Sequence, residues 1–392
     1  MKLSTGLSIL AITLSYGCKK PYAPKVVATS TNYLVVEGVI NTGSDSTSIR
    51  LSRTEQLSST NQVNPELHAN LTILSKSGGN YPLAEKGIGY YSAPGLNSGS
   101  SDTYSLKIVT SDGKAYQSDF VVAKNSPPID SVYYRLQSNG LNIYADTHDP
   151  SRNSTYYRWD YIETYKYHSA SNSLDSAITS PKDTVITRTR QVFTCYRSDT
   201  SSNIILNSSV KLAKDIISNN PITAIISSSE KIGDRYSILV KQYALTADAF
   251  NYYQQLKKNT EQLGSIFDAQ PSELPGNIHC ISDPSEAVIG YITAGTPAQS
   301  RIFIDVRNLP VWQSITPYSG CILDTAFFCA GRGCDNQVKE EIYPGYETPL
   351  YPVLLSPGSK IIIGYGILSP ACADCTLRGT TKQPDFWKEY GQ

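Results

Sequence analysis

Tyr33-Leu34-Val35-Val36-Glu37-Gly38-Val39-Ile40 is a short, strongly apolar run rich in β-branched residues. Such a run is too short for a typical buried helix and reads as a strand. Ser48-Ile49-Arg50-Leu51-Ser52-Arg53 alternates with period two, as a half-buried strand does. Leu71-Thr72-Ile73-Leu74 ends at a Gly78-Gly79-Asn80 turn, and Gly89-Tyr90-Tyr91-Ser92 follows. Tyr104 to Val109 then pairs with Ala115 to Val122 across Ser111-Asp112-Gly113-Lys114, a hairpin signal. Short strands at this spacing predict an immunoglobulin-like or transthyretin-like β-sandwich over 33–124.

Outward from that module, Asn125-Ser126-Pro127-Pro128 marks a boundary, because a proline pair is stiff and cannot donate to a sheet ladder. A larger β-rich domain is expected over 129–392, with strands at Ser131 to Leu136, Tyr156 to Thr164, Thr184 to Thr194, Tyr236 to Ala244 and Arg301 to Val306. One helix is expected over Thr246 to Leu263. Thr246 caps it, Asp248 complements its dipole, Phe250, Tyr253, Leu256 and Leu263 form its apolar stripe, and Gly264 stops it. A second, shorter helix is expected at Ser209 to Ser218. The fold class is therefore mostly β, with one or two helices.

The composition agrees. The 392 residues hold 28 Tyr, and charged residues make up only 17 %. Lys+Arg and Asp+Glu balance at 34 each, without a basic run, so the footprint of a nucleic-acid binder is missing.

At the N-terminus Lys2 precedes an apolar core from Leu7 to Leu14, and Ser15-Tyr16-Gly17 leads into Cys18. The core is too short to span a bilayer and fits a signal peptide over 1–17. A Cys directly after a small residue resembles the lipobox of bacterial lipoproteins, in which that Cys is acylated and begins the mature chain. Cys18 is the expected lipidation site, and residues 18–32, with Lys19-Lys20-Pro21, form the tether.

Seven further cysteines remain: Cys195, Cys280, Cys321, Cys329, Cys334, Cys372 and Cys375. An oxidising envelope favours disulfides among them. The expected pairs are Cys195 with Cys280, and the 321–334 cluster with Cys372 or Cys375. The alternatives are a zinc site built from Cys329, Cys334, Cys372 and Cys375, and a redox role for Cys372-Ala373-Asp374-Cys375.

Catalytic signatures are sparse. The sequence holds four histidines (His68, His148, His168, His279), no His-Glu-x-x-His and no Gly-x-Ser-x-Gly. His148-Asp149 near Ser151 reads as a turn rather than a triad, since adjacent residues on a turn rarely face each other. Asp146 and Asp149 could bind calcium with the help of loop carbonyls, since such a site wants about six or more oxygens. Tyr133-Tyr134, Tyr161, Tyr165 and Tyr167 could stack on a glycan or peptide, although Tyr in strands is usually half-buried. Asp130-Ser131-Val132, Asp175-Ser176-Ala177 and Asp183-Thr184-Val185 resemble short O-glycosylation triplets. No catalytic residue, metal or cofactor is assigned.

Several blocks together carry a family resemblance: Asp149 to Asn153 with Tyr156-Tyr157-Arg158, Arg235 to Tyr243, Gly276-Asn277-Ile278-His279-Cys280, Val288 to Tyr291, Arg301 to Ile304, Cys372 to Gly379 and Pro384-Asp385-Phe386-Trp387. With the lipobox, the chain resembles the domain-of-unknown-function 4249 family of Bacteroidota outer-membrane lipoproteins. The resemblance implies a lipid-anchored outer-membrane protein, encoded beside a TonB-dependent receptor that imports nutrients, and it brings no catalytic residues. A non-enzymatic binding or accessory subunit of such a transporter, taking a glycan or peptide, is the expected function. An envelope hydrolase of glycans or peptides and a structural assembly lipoprotein are the alternatives. The cell surface is favoured over the periplasmic face, although Lys19-Lys20-Pro21 lacks the acidic residues common after the Cys of exported surface lipoproteins.

Overall fold

A computed structural model describes residues 32–55, 64–98, 102–261, 276–329 and 335–391. The signal peptide, Cys18, most of the tether, Leu263, Gly264 and Cys334 lie outside the described residues.

Nine strands open the fold: β1 (Leu34–Asn41), β2 (Thr47–Arg53), β3 (Asn64–Pro65), β4 (Asn70–Ser75), β5 (Asn80–Gly87), β6 (Tyr90–Ala93), β7 (Thr103–Val109), β8 (Ala115–Ser118) and β9 (Val121–Val122). The alternation in β2 and β4 turns Ile49, Leu51, Leu71 and Ile73 inward, all nearly inaccessible to solvent. The strand β5 serves two sheets. Its first half pairs with β4, and after Leu83 it pairs with β6 through a register shift at Glu85–Gly87. A bulge bends a strand and sharpens its twist, which lets one strand turn the corner of a sandwich.

The chain then builds a second sandwich from β10 (Ile129–Gln137), β11 (Gly140–His148), β12 (Tyr156–His168), β15 (Thr194–Thr200), β16 (Ile205–Ser208), β17 (Ile216–Ile226) and β18 (Arg235–Ala244), while β13 (Asp175–Ile178) and β14 (Thr184–Thr187) pair as a separate hairpin. Sheet β10-β11-β17 packs Leu141, Ile143, Ile217 and Ile225 against Tyr157, Trp159, Tyr236 and Ile238 of the sheet carrying β12 and β18. The helix α1 (Ala247–Glu261) follows, with Ala249 N donating to Thr246 Oγ1 at 3.2 Å as the cap predicts. It buries Ala249, Tyr252 and Tyr253, with Phe250 and Leu256 at the margin.

Three short strands correct the expected domain layout. β19 (Ile278–Cys280), β20 (Val288–Gly290) and β21 (Thr293–Gly295) return to the first sandwich. β19 extends the sheet beyond β8, while β20 and β21 run parallel to β1 on the side away from β2. Ile278, Cys280, Val288, Ile292 and Ala294 complete the first core. The first module is thus 33–124 plus 278–295, because β20 and β21 take up the backbone edge of β1 that β2 leaves open. The next strand, β22 (Ala298–Asp305), pairs with β18 and closes the second sandwich.

The proline segment is a fixed joint rather than a free linker. Lys124 N donates to Ala294 O and Ser126 N to Thr296 O, both at 2.9 Å, while Ala244 N donates to Ser126 Oγ at 2.8 Å. The buried Gln242 side chain donates to Pro127 O at 2.9 Å and to Thr147 Oγ1 at 3.0 Å, and accepts from Trp159 Nε1. Buried amide groups of this kind need such partners, so both modules hold the segment in place.

A small C-terminal sheet follows, ordered β23 (Asp324–Phe327), β25 (Ile362–Leu368), β24 (Thr348–Leu354), with a short α2 (Pro370–Ala373) behind it. Two local expectations fail. Thr184 to Thr194 is not one strand, because Arg188 turns inward and its guanidinium donates to Ser173 Oγ and Asp175 O. Ser209 to Ser218 is not helical: Ser209 bonds Asp215, and Ile216 onward is recruited as β17 against β11.

Candidate functional site

Along β12 the order Tyr157-Arg158-Trp159-Asp160 sends the two aromatics into the core and Arg158 and Asp160 to the opposite face. On β18 the same alternation buries Gln242 and turns Lys241 and Tyr243 outward. Register places Arg158 opposite Tyr243 and Asp160 opposite Lys241. The helix α1 then lays Tyr253 over Arg158. Its guanidinium carbon lies 4.7 Å from the Tyr243 ring centre and 4.5 Å from that of Tyr253, and Nη2 donates to Asp160 Oδ2 at 3.0 Å. Burial opposes the charge on Arg158, but Asp160 and the two tyrosines outweigh it and raise the guanidinium above its ordinary value. Its Nε has no hydrogen-bond partner.

Arg158 and Asp160 divide a groove between the two sandwiches. On one side, about 570 Å³ opens between Glu37, Asp45, Ser46 and Ser48 of the first module and Lys241, Tyr243 and Gln299 of the second. On the other, about 310 Å³ is lined by Val35, Tyr252, Leu256, Ile289 and Tyr291. Volumes of a few hundred cubic ångströms, aromatic walls and a few fixed polar groups are the marks of a small-ligand site at a domain junction. A larger hollow of about 730 Å³ lies at the joint, lined by Val122, Ala123, Asn125 to Pro128 and the turn after His148, with no tyrosine, tryptophan or phenylalanine in its wall.

The joint hollow contains His148, Asp149 and Ser151. His148 Nδ1 lies 2.8 Å from both oxygens of Asp130, which raises the imidazole above its ordinary value. Asp149 instead accepts from Ser151 N and Oγ and from Ser154 N. No Asp–His–Ser relay exists there, as the turn reading predicts. Asp146 faces Ser131, Tyr133 and Asn219 rather than Asp149. The tyrosines do not share a platform. Tyr165 and Tyr167 are core residues, Tyr161 donates to Thr223 Oγ1, and Tyr133 stacks on Tyr144 at 5.7 Å under Arg135.

Of the two cysteine pairings expected, the one from the 321–334 cluster to Cys372 holds and the other is corrected. Cys195 on β15 bonds Cys375, and Cys321 bonds Cys372. Cys280 is free and buried in the first core, a module away from Cys195, which rules out the expected Cys195–Cys280 pair. Cys329 is also disulfide-bonded. With Cys372 and Cys375 each cross-linked elsewhere, they neither ligate zinc with Cys329 and Cys334 nor close on each other as a redox pair.

The tail beyond Cys375 is fastened over the second sandwich. Arg378 donates to both oxygens of Glu230 at 3.0 and 2.6 Å, a bidentate pair. Asp234 bonds His168 and Tyr390, with Lys166 at 3.5 Å. Burial pushes the Asp234 carboxyl up, but these hydrogen bonds and the Lys166 charge outweigh it and hold it at about 2. A depressed carboxylate stabilises the fold above its unfolded value near 4, and that contribution disappears as pH falls from 4 through 2. Asp234→Asn should therefore cost about 2 kcal/mol at neutral pH and flatten the loss of urea stability between pH 4 and 2. Equal acid slopes for the two proteins would refute this.

A family model described as a domain of unknown function, DUF4249, matches residues 19–301. The chain belongs to the DUF4249 family. The DUF4249 match takes in both sandwiches up to β22, the joint and every groove residue named above. The C-terminal blocks Cys372 to Gly379 and Pro384 to Trp387 lie beyond it. Among solved structures, a two-domain fibronectin type-III segment of chicken tenascin aligns at 13 % identity over 54 % of this chain and 90 % of that one, with a TM-score of 0.16. The Yersinia pseudotuberculosis adhesin InvE aligns at 13 % identity over 55 % and 56 %, with a TM-score of 0.15. No curated protein matched. The β-sandwich character of this DUF4249 chain rests on its own strand pairing. Sequence reading quoted Arg158 and Tyr243 without assigning them a role. The usable signal was a charged residue alternating with buried aromatics.

Proposed function

We propose that this protein is a non-enzymatic, lipid-anchored subunit of a TonB-dependent nutrient transporter in a Bacteroidota outer membrane. Cys18 carries the lipid, and the two modules present the groove around Arg158 to cargo or to the barrel. The observation that carries this reading is the groove itself. Both sandwiches contribute to it, the joint fixes its width, and its walls mix aromatic faces with alternating donors and acceptors suited to a neutral glycan or peptide.

The test is isolation of the protein at native levels from solubilised outer membranes. A co-eluting TonB-dependent barrel is expected, and recovery of the lipoprotein alone would overturn the reading. The groove has its own check. Ser46 and Ser48 are exposed on its first-module wall. Ser46→Trp with Ser48→Trp should cut ligand uptake by about tenfold or more while protein level and thermal midpoint stay unchanged. Unchanged uptake would remove the groove from the function.

A further inference from the structure

The hairpin made by β24 and β25 projects apolar side chains that no other described residue covers. Leu354, Leu355, Ile361 and Ile362 are all exposed at its tip, Leu355 and Ile361 each at 59 %. Register gathers them. Leu354 pairs with Ile362, Leu355 N donates to Ile361 O at 3.0 Å, and Phe328 N donates to Ile363 O beside them. Two bonds close the turn, Ser359 N donating to Ser356 O and Ile361 N to Ser359 Oγ. From Thr348 to Leu368 the one charged residue is Lys360, at the tip.

We propose that this hairpin tip is a second membrane contact, entering the interfacial layer of a bilayer that carries anionic headgroups. A convex apolar knob of this size is unusual on a water-facing surface. Interfacial binding wants apolar side chains for the acyl boundary and a basic group for the headgroups, and the tip has both without an acidic neighbour in the hairpin. A partner strand is disfavoured at the adjacent edge, where Phe327 N is taken by Gln337 Oε1 and Thr325 N by Asp324 Oδ1. Residues 19–31 can extend at most about 45 Å, so a lipid on Cys18 keeps the body within reach of the bilayer. The inference rests on the anchor reading only for the presence of a membrane.

The test uses residues 19–392, which keep every described strand and lack the lipidated cysteine, in co-flotation with phosphatidylethanolamine vesicles with and without phosphatidylglycerol. Flotation with the anionic vesicles is expected, falling about tenfold or more in Leu355→Asp/Ile361→Asp. Lys360→Glu should reduce the preference for phosphatidylglycerol. Both positions of the double variant are solvent-facing, so an unchanged thermal midpoint checks its fold. Failure of the wild type to float with either vesicle, or equal flotation of the double variant, would overturn the proposal. Retention by a membrane protein without vesicle binding would overturn it as well, by assigning the tip to a protein partner. Because the anchor is absent, the result does not depend on whether Cys18 is acylated.

Discussion

Residues 33–124 produced alone are expected to remain unfolded. In the intact chain β1 sits between β2 and the parallel pair β20 and β21, and Ile278, Val288 and Ile292 fill the core beneath it. Removing three large aliphatic side chains from a core forfeits roughly 5–9 kcal/mol of burial, comparable with the whole stability of a typical domain. It also uncovers the outer edge of β1, an apolar strand free to pair with other chains. A chain joining 33–128 to 276–297 through a short linker should recover a cooperative thermal transition, read by circular dichroism. Cooperative melting of 33–124 alone would contradict this layout. The returning strands are tightly seated: a Cβ at Gly290 would stand 2.2 Å from Val36 O. Gly290→Ala should accordingly loosen the same module in the intact chain.

The second large effect concerns the disulfides. Cys195–Cys375 closes a separation of 180 residues and Cys321–Cys372 one of 51. Chain entropy alone assigns loops of these lengths about 5 and about 4 kcal/mol. Cys195 and Cys375 are wholly buried, and the first cross-link ties β15 to the segment that leads into the Arg378–Glu230 pair. Cys195→Ser/Cys375→Ser should lower the thermal midpoint by about 10 °C, and a reductant should lower the wild type by more than that while lowering the variant only by the share of its remaining cross-links. A midpoint unmoved by reductant would show that the cross-links contribute nothing.

What was legible in the sequence were the local features. The alternation in Ser48 to Arg53, the hairpin over Asp112-Gly113 and the cap at Thr246 depend on neighbours a few residues away, and all three stand in the structure. Pairing across long separations left no such trace. Val288 to Gly290 reads as a short strand, but nothing in it points to β1 some 250 residues earlier in the chain. The expected Cys195–Cys280 pair failed for the same reason, since connectivity follows the fold rather than spacing, whereas the 321–334 cluster does reach Cys372. Arg188 and the Ser209–Asp215 contact show tertiary hydrogen bonds overriding a local preference. The groove was half legible: alternation on β12 turns Arg158 outward, whereas its aromatic walls come from α1 and β18 and its far side from β1.

The most direct measurement is the intact mass of the protein purified from membranes. The account predicts a chain that begins at Cys18 and carries a diacylglyceryl group and an amide-linked acyl chain. A mass for an unacylated Cys18, or for a chain cut elsewhere, would contradict it.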